Sequence, residues 1–226
     1  MRVARVAVLL LAAACVQARR PAPVVPEPIN TAEAEIAPDR AADSLLVDVR
    51  AIEPGIVVDL RYATANNFTG APLPGYSASR AYLRREAAAA LGRVQRSLGA
   101  EGLGLKVFDA YRPARATTAM VDWTRRVNRT DLLRDGYIAS RSRHNLGVAI
   151  DLTLIELAGG TELDMGTPFD TFSAAAHTAN ASGQVAVNRR KLKAAMEREG
   201  FTNYDKEWWH FSFSVPDPLR FDKPIR

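Results

Sequence analysis

The sequence contains a single cysteine, Cys15, among 226 residues. An intrachain disulfide is therefore impossible, and a metal site built from several thiolates is excluded. Histidine is nearly as scarce, because only His144, His177 and His210 occur. Any metal site in this protein must consequently combine these few imidazoles with carboxylates.

Two further features are missing. No apolar run comes near the ~20 residues that a membrane-spanning helix requires, which argues against an integral membrane protein. A long basic stripe is also lacking: the formal net charge is +5, but Arg2, Arg5, Arg19 and Arg20 all fall within the first twenty residues. The other Lys and Arg residues alternate with Asp and Glu, so nucleic acid is not an expected partner.

Residues 1–18, MRVARVAVLLLAAACVQA, begin with basic residues, continue with the apolar run Val6–Ala14 and end in small residues. This order is typical of an export signal peptide. The pattern predicts a protein that works outside the cytoplasm.

The position of Cys15 leaves two forms of the mature protein open. It directly follows Leu11-Ala12-Ala13-Ala14, which resembles a bacterial lipoprotein processing site, with Ala12 at the position that is usually leucine. Either Cys15 is lipidated and begins the mature chain, or ordinary cleavage follows Ala14 or Ala18. The expected location is therefore periplasmic or, with a lipid anchor, attached to the membrane.

The remainder is predicted to be a single domain of the α+β class, with a central antiparallel sheet flanked by helices. Residues 19–43 contain five prolines without a helical or strand period, so we expect a linker there and the folded domain at residues 44–226. The elements expected in the domain are a hairpin of residues 45–52 and 55–63 around Pro54-Gly55, helices from Ser77 to about Gly99, from Ala114 to Val127 and from Arg189 to Gly200, and strands at Leu105–Tyr111, Val148–Leu157 and Glu207–Ser214.

Two of the three histidines lie in segments that also carry carboxylates. His144 leaves a turn, Gly147 allows a tight backbone entry, and Asp151 follows inside an otherwise apolar strand pattern. Burying an unpaired carboxylate is costly, so Asp151 needs a partner, and a metal ion would be one. Taken alone, a single histidine is more often a surface or core residue, and Asp151 could instead pair with an arginine.

The second segment is Glu207-Trp208-Trp209-His210. Side chains alternate between the faces of a strand, so Glu207 and His210 would point in opposite directions if both lay in a regular strand. We therefore expect Glu207 just before the strand. From there His210 can bind a metal ion while Glu207 reaches a water molecule on it.

Together His144, Asp151 and His210 provide two imidazoles and one carboxylate, which is a typical catalytic zinc set with a position left for water. A zinc-bound water has a pKa of about 7, and a nearby carboxylate can take its proton. The sequence thus predicts one zinc ion per chain and Glu207 as the general base.

These segments resemble those of a known family. The patterns SxHxxGxAxD at Ser142–Asp151 and ExWH at Glu207–His210 are similar to the signature of the zinc D,D-peptidases, which include the VanX-type D-Ala-D-Ala dipeptidases. The likeness extends over residues 56 to 214 and includes DLRYATANNFTG (Asp59–Gly70), FDAYRP (Phe108–Pro113), AIDLTL (Ala149–Leu154) and DMGTPFD (Asp164–Asp170). The resemblance implies the zinc D,D-peptidase (hedgehog/D,D-peptidase-like) fold and the same zinc ligands and base.

The resemblance also implies roles for four further residues. Arg112 would stabilise the oxyanion of the tetrahedral intermediate, with a structural salt bridge as the alternative. Tyr62 and Asp170 would hold the free amino group of the dipeptide, although Asp170 could instead cap a helix starting near Thr171. Ser142 would contribute to substrate binding.

Two residues near these motifs remain open. Arg143 lies between Ser142 and His144 in a position that varies in the family, and it either attracts the dipeptide carboxylate or points to solvent. His177 has no neighbouring carboxylate, so we expect a structural or surface residue.

The leading function is zinc-dependent hydrolysis of D-Ala-D-Ala in cell-wall peptide metabolism. The alternatives are a D,D-carboxypeptidase or peptidoglycan endopeptidase of the same fold, or a module that binds wall peptides without cutting them. The sequence leaves the oligomeric state open.

Overall fold

The structure, a computed structural model, describes residues 35–226. The predicted signal peptide, Cys15 and most of the predicted linker lie outside the described residues. The helices are α1 (Asp39–Leu45), α2 (Val49–Ile52), α3 (Arg85–Gly99), α4 (Ala114–Arg126), α5 (Asp131–Arg134) and α6 (Gly183–Arg198), with short 3-10 helices at Arg61–Ala63, Arg143–Leu146 and Ala174–Ala176. The strands are β1 (Leu46–Asp48), β2 (Val57–Val58), β3 (Tyr82–Arg84), β4 (Leu103–Asp109), β5 (Ala149–Glu156), β6 (Phe201–Asn203) and β7 (His210–Phe213).

The main sheet has five strands in the order β2-β4-β5-β7-β6. Every neighbouring pair is antiparallel except β2 and β4, which are parallel. Helices α3 and α6 pack on this sheet and on each other. The prediction of an α+β fold with helices packed on a central antiparallel sheet is therefore confirmed, with one parallel edge strand added.

Strand β5 lies at the centre of the sheet and of the core. All of its residues except Glu156 are buried, so both of its faces are covered. This explains its nearly continuous apolar sequence, because a strand that is covered on both faces has no solvent-facing side on which polar residues would alternate. The two polar side chains that it does carry inside the core, Asp151 and Thr153, therefore stand out.

The predicted hairpin around Pro54-Gly55 is wrong. Strand β1 pairs antiparallel with β3, as a separate two-stranded sheet, and β2 pairs with β4. The helix expected from Ser77 begins only at Arg85, because residues 82–84 form β3. In both places a partner distant in the chain determines the structure, which local patterns do not record.

The first helix within the described residues and the start of α6 also differ from expectation. Helix α1 covers Asp39–Leu45, where a linker through residue 43 was expected, and Ala42 packs into the core. Before it, Ile36 forms a bridge with Arg220. Helix α6 begins at Gly183, six residues before the expected Arg189. Helix α4 and strand β5 occur where the sequence predicts them.

Within residues 35–226, no helix combines the length and the apolar character needed to cross a bilayer.

Gly147 connects the 3-10 helix Arg143–Leu146 to strand β5 in a left-handed backbone conformation, with φ of 66°. Its N–H donates to the His144 carbonyl, and its own carbonyl accepts from the Arg84 N–H at 2.7 Å. A Cβ at this position would overlap the Leu46 side chain. Glycine is therefore required here by both conformation and space.

We expect Gly147→Ala to lower the free energy of unfolding by about 1–2 kcal/mol from the left-handed conformation alone, with the overlap adding to this. Chemical denaturation measures the change. Gly99→Ala is the matched control, because Gly99 ends α3 in open space without a positive φ, and alanine there should be neutral or slightly stabilising. Equal stability of the two variants would contradict this account of Gly147.

Candidate active site

Three strands of the sheet place three acidic or imidazole side chains in one row. In the antiparallel registers, Asp151 of β5 lies directly opposite Asp109 of β4 on one side and His210 of β7 on the other. Directly opposite residues project from the same face of a sheet. His144 joins the row from the 3-10 helix that precedes β5.

The donor atoms of His144, Asp151 and His210 converge. His210 Nδ1 lies 2.9 Å from Asp151 Oδ1 and 3.2 Å from His144 Nε2, and His144 Nε2 lies 3.4 Å from Asp151 Oδ2. One donor atom from each residue falls within 4.8 Å of the others. His144 and Asp151 are buried, and His210 is partly exposed.

Hydrogen bonding determines which nitrogen of His144 faces this cluster. Its Nδ1 lies 2.6 Å from the Ala110 carbonyl oxygen, which can only accept, so Nδ1 carries the hydrogen and Nε2 presents its lone pair. His210 has the opposite orientation, with Nδ1 in the cluster and Nε2 at 3.4 Å from Ser212 Oγ. Each ring thus turns one nitrogen toward the cluster.

The charges of the cluster suit a cation. Burial alone would raise the pKa of Asp151, but the imidazoles of His144 and His210 lower it below its usual value, so the group is a carboxylate. Burial lowers the pKa of His210, against the opposing effect of Asp151. Two imidazole nitrogens and one carboxylate within a few ångströms fit a zinc ion with a coordination position left open.

Glu207 lies beside the cluster, in a turn that precedes β7. Its N–H donates to the Tyr204 carbonyl, and its carbonyl accepts from the His210 N–H, so the regular strand starts only at His210. The expected position just before the strand is confirmed. Glu207 Oε2 lies 3.8 Å from His210 Nδ1. Burial, and then the carboxylates of Asp151 and Asp170, raise the pKa of Glu207 well above its usual value.

Arg112 reaches the opposite side of the cluster. Its Nη2 is 3.8 Å from Asp151 Oδ2, and its guanidinium carbon lies 5.0 Å from the centre of the Tyr62 ring. The same guanidinium is paired with Asp109 at 2.8 Å. Burial lowers the pKa of Arg112, but Asp109 together with Tyr62, Tyr76 and Asp151 outweighs that effect, so the pKa is raised and the side chain stays protonated. The sequence left two interpretations of Arg112 open, a structural salt bridge and a role at the site. The structure contains the salt bridge to Asp109, and it also has the Arg112 guanidinium beside the candidate metal ligand Asp151.

Tyr62 and Asp170 meet near the same cluster. The Tyr62 hydroxyl donates to the two carboxylate oxygens of Asp170 at 3.0 and 3.1 Å. Burial, and then Asp151, raise the pKa of Asp170 well above its usual value. Asp170 has a φ of 61° in a loop, and the next helical turn begins only at Ala174, so the alternative reading as a helix cap near Thr171 is wrong.

The remaining residues of the motifs have mainly local contacts. The Ser142 hydroxyl accepts from the His144 N–H at 3.2 Å and caps the 3-10 helix, which holds His144 in place. The Nε atom of Arg143 is buried and has no hydrogen-bond partner among residues 35–226. His177 lies outside the donor cluster, with Nε2 at 3.0 Å from the Tyr137 hydroxyl, in agreement with the structural role expected for it.

Sequence reasoning missed Asp109. This carboxylate is fully buried, pairs with Arg112, and accepts from the Tyr76 hydroxyl at 2.6 Å. Burial raises its pKa, and the Arg112 guanidinium opposes that rise. The available signal was an acidic residue at the end of a largely apolar strand pattern, which is weaker than the signal for Asp151 inside its strand.

A two-histidine, one-carboxylate donor set beside a buried glutamate and a fixed guanidinium is the arrangement of a metal-dependent hydrolase. A profile of the M15 peptidase family, described as D-ala-D-ala dipeptidase, matches residues 42–224. The chain therefore belongs to this family of metallopeptidases.

Similar proteins carry the same description. The chain is 37% identical over 189 residues to a D-alanyl-D-alanine dipeptidase of Enterococcus faecium, covering 76% of this chain and 94% of that protein. For the dipeptidases of Streptomyces coelicolor and Escherichia coli, identity is 36% and 34%, with 76% and 74% of this chain and 93% and 83% of those proteins covered. The solved vancomycin-resistance D,D-dipeptidase VanXYg is more distant, with 20% identity and a TM-score of 0.40 over 76% of this chain and 68% of that one.

We expect His144→Ala and His210→Ala each to weaken zinc binding by more than ~100-fold, because losing an outer partner of a ligand alone costs about 10–100-fold. Equilibrium dialysis of the full chain against zinc buffers measures the affinity. His177→Ala is the matched control and should still bind one zinc ion per chain. Stoichiometric, tight binding by His144→Ala would exclude the cluster as the zinc site.

Proposed function

We propose that this protein hydrolyses the dipeptide D-Ala-D-Ala in cell-wall peptide metabolism, with one zinc ion held by His144, Asp151 and His210. The observation that carries the proposal is the convergence of these three donors within 4.8 Å, next to a buried glutamate. Relatives that are 34–38% identical and named D-alanyl-D-alanine dipeptidases support the choice of substrate.

When bound, zinc supplies an acidified water and polarises the peptide carbonyl. Glu207 takes the proton of the attacking water and passes it to the leaving amine. Its surroundings suit this exchange, because burial and neighbouring carboxylates raise its pKa and make the protonated form accessible. Its position beside His210, with Oε2 at 3.8 Å from Nδ1, supports a role on the water that a bound zinc ion would supply.

Arg112 stabilises the negative charge that develops on the carbonyl oxygen. A buried guanidinium that is held by Asp109 cannot swing away, so it requires little reorganisation during the reaction. This fixed orientation and its proximity to Asp151 support the role that the family resemblance implies.

Tyr62 and Asp170 recognise the free amino group of the substrate. The raised pKa of Asp170 shows that its carboxylate form lacks a cationic partner within the described part of the chain, and a substrate ammonium group beside the Tyr62–Asp170 pair would supply one and favour that form. Substrates of a carboxypeptidase or an endopeptidase continue past this point as amides and have no ammonium group there. The pair therefore favours a dipeptidase, and the presence of Glu207 and Arg112 favours an enzyme over a module that only binds.

We also propose that the protein acts outside the cytoplasm, on the basis of the signal-like residues 1–18. Cys15 would carry a lipid anchor if the lipoprotein interpretation holds. An exported enzyme fits the turnover of wall peptides or the recovery of dipeptide better than the removal of a cytoplasmic precursor.

Glu207→Gln is expected to reduce kcat for D-Ala-D-Ala by about 10²–10⁴-fold, because the amide cannot accept the proton. Zinc content should stay at one ion per chain, since Glu207 is not assigned as a ligand. Coupled detection of released D-alanine gives kcat. Glu199→Gln is the control, because Glu199 pairs only with the surface residue Arg93. Turnover that survives in Glu207→Gln would remove Glu207 from the mechanism.

The free amino group should decide whether a substrate is cut. We expect efficient cleavage of D-Ala-D-Ala and at least ~10-fold lower kcat/KM for N-acetyl-D-Ala-D-Ala, because a hydrogen bond to a charged group contributes about 1.5–3 kcal/mol. Asp170→Asn should lower kcat/KM for the free dipeptide, so that the values for the free and the N-acetylated dipeptide become more similar. Asp122→Asn on the exposed face of α4 serves as the control. Preference for the acetylated peptide would instead indicate a D,D-carboxypeptidase.

A further inference from the structure

Asp109 owes its position to an irregularity in the sheet. Along β4 and β5, Val107 pairs with Leu152 and Asp109 pairs with Asp151, so Phe108 is an extra residue in β4. Such a bulge changes the direction in which the following side chain points. Without it, Phe108 would lie opposite Asp151. The bulge thus brings a second carboxylate, fully buried, next to a candidate metal ligand.

Both oxygens of Asp109 are engaged. Oδ2 accepts from Arg112 Nε at 2.9 Å and lies 2.8 Å from Arg112 Nη2, and the same oxygen is 3.4 Å from His144 Nδ1. Oδ1 accepts from the Tyr76 hydroxyl at 2.6 Å. A carboxylate that only neutralised Arg112 would not need the other two contacts. Asp109 instead connects the guanidinium and one imidazole of the site.

Tyr76 is itself held by the segment that follows β7. The Ser77 N–H donates to the Ile225 carbonyl at 3.0 Å, and the Ile225 N–H donates to the Gly75 carbonyl at 2.8 Å. Tyr76 and Ile225 form a parallel bridge between these hydrogen bonds. The Tyr76 hydroxyl therefore reaches Asp109 from a backbone anchored on both sides.

The arrangement also keeps Arg112 from closing to hydrogen-bonding distance with Asp151. Arg112 Nη2 is 3.8 Å from Asp151 Oδ2, but its short contacts go to Asp109. Among residues 35–226 its other recorded side-chain hydrogen bond is a weak one from Nη1 to Met120 Sδ at 3.4 Å. If Asp109 lost its charge, the guanidinium would have Asp151 as its nearest carboxylate. That pairing would compete directly with metal binding.

We propose that Asp109 is a positioning residue: it holds the Arg112 guanidinium clear of Asp151 and supports the His144 imidazole, and the Tyr76 hydroxyl keeps Asp109 in place. The effect of Asp109 on turnover through Arg112 rests on the proposed hydrolysis of the dipeptide. The effect of Asp109 on metal binding through His144 and Asp151 does not rest on it.

The test compares Asp109→Asn with the wild type in the full chain. Zinc affinity is measured by competition with a chromophoric chelator, and kcat and KM are measured with D-Ala-D-Ala at saturating zinc. We expect zinc affinity to fall about 10-fold, at the lower end of the effect of losing an outer partner of a ligand, because His144 Nδ1 keeps its hydrogen bond to the Ala110 carbonyl. We expect kcat to fall by a similar factor with KM nearly unchanged, because Arg112 acts on charge that develops only in the transition state.

A second pair of variants separates positioning from simple stability. Tyr76→Phe removes only the hydroxyl that holds Asp109 and should lower both zinc affinity and kcat about 3–10-fold, in line with one lost hydrogen bond. Tyr111→Phe is the matched control, since it removes a buried tyrosine hydroxyl that donates to the Lys223 carbonyl at 2.8 Å, away from Asp109. It should lose comparable stability with zinc affinity and kcat unchanged.

Wild-type zinc affinity and kcat in Asp109→Asn would overturn the proposal. So would equal effects of Tyr76→Phe and Tyr111→Phe, and this comparison decides the matter if Asp109→Asn does not fold. If the wild type binds zinc but does not cleave the dipeptide, the proposed function fails, while the zinc affinities of the variants still test the positioning role.

Discussion

The register between β4, β5 and β7 is the constraint on which the site depends. It sets Asp109, Asp151 and His210 side by side on one face, although they lie far apart in the chain. Because side chains alternate along a strand, a slip of one residue in either pairing would move a member of this row to the other face. The apolar burial of β5 opposes such a slip, since its whole inner length would have to be repacked. Packing of the core and assembly of the site are therefore the same event.

The site carries more acidic groups than guanidinium groups. The buried Asp109, Asp151 and Glu207 and the partly exposed Asp170 lie around a single guanidinium, that of Arg112. The four carboxyl groups respond differently to this imbalance: the pKa of Asp151, which lies between the two imidazoles, is lowered, whereas burial raises the pKa values of Asp109, Asp170 and Glu207. A divalent cation at the three donors would offset the remaining negative charge. Binding of the metal should then also stabilise the fold, because a ligand that prefers the folded state shifts the folding equilibrium.

Local sequence patterns predicted the chemistry better than the pairing of the strands. Glu207 could be placed before its strand because alternation forbids it from sharing a face with His210, and the structure has it there. The partner of β1 could not be found in this way, because β3 lies far along the chain and is selected by packing. Asp109 escaped notice because its importance comes from a bulge, and nothing in the residues around Phe108 marks the extra residue.

The segment around Ile225 has a consequence for when the enzyme becomes active. This segment lies after every candidate catalytic residue in the chain. Its backbone nevertheless forms hydrogen bonds on both sides of Tyr76, whose hydroxyl donates to Asp109, and Asp109 contacts His144 and Arg112. A nascent chain that has emerged only as far as β7 already has its three candidate donors but lacks this support. Full organisation of the site thus waits until the residues that follow β7 have been synthesised and have paired with the backbone around Tyr76.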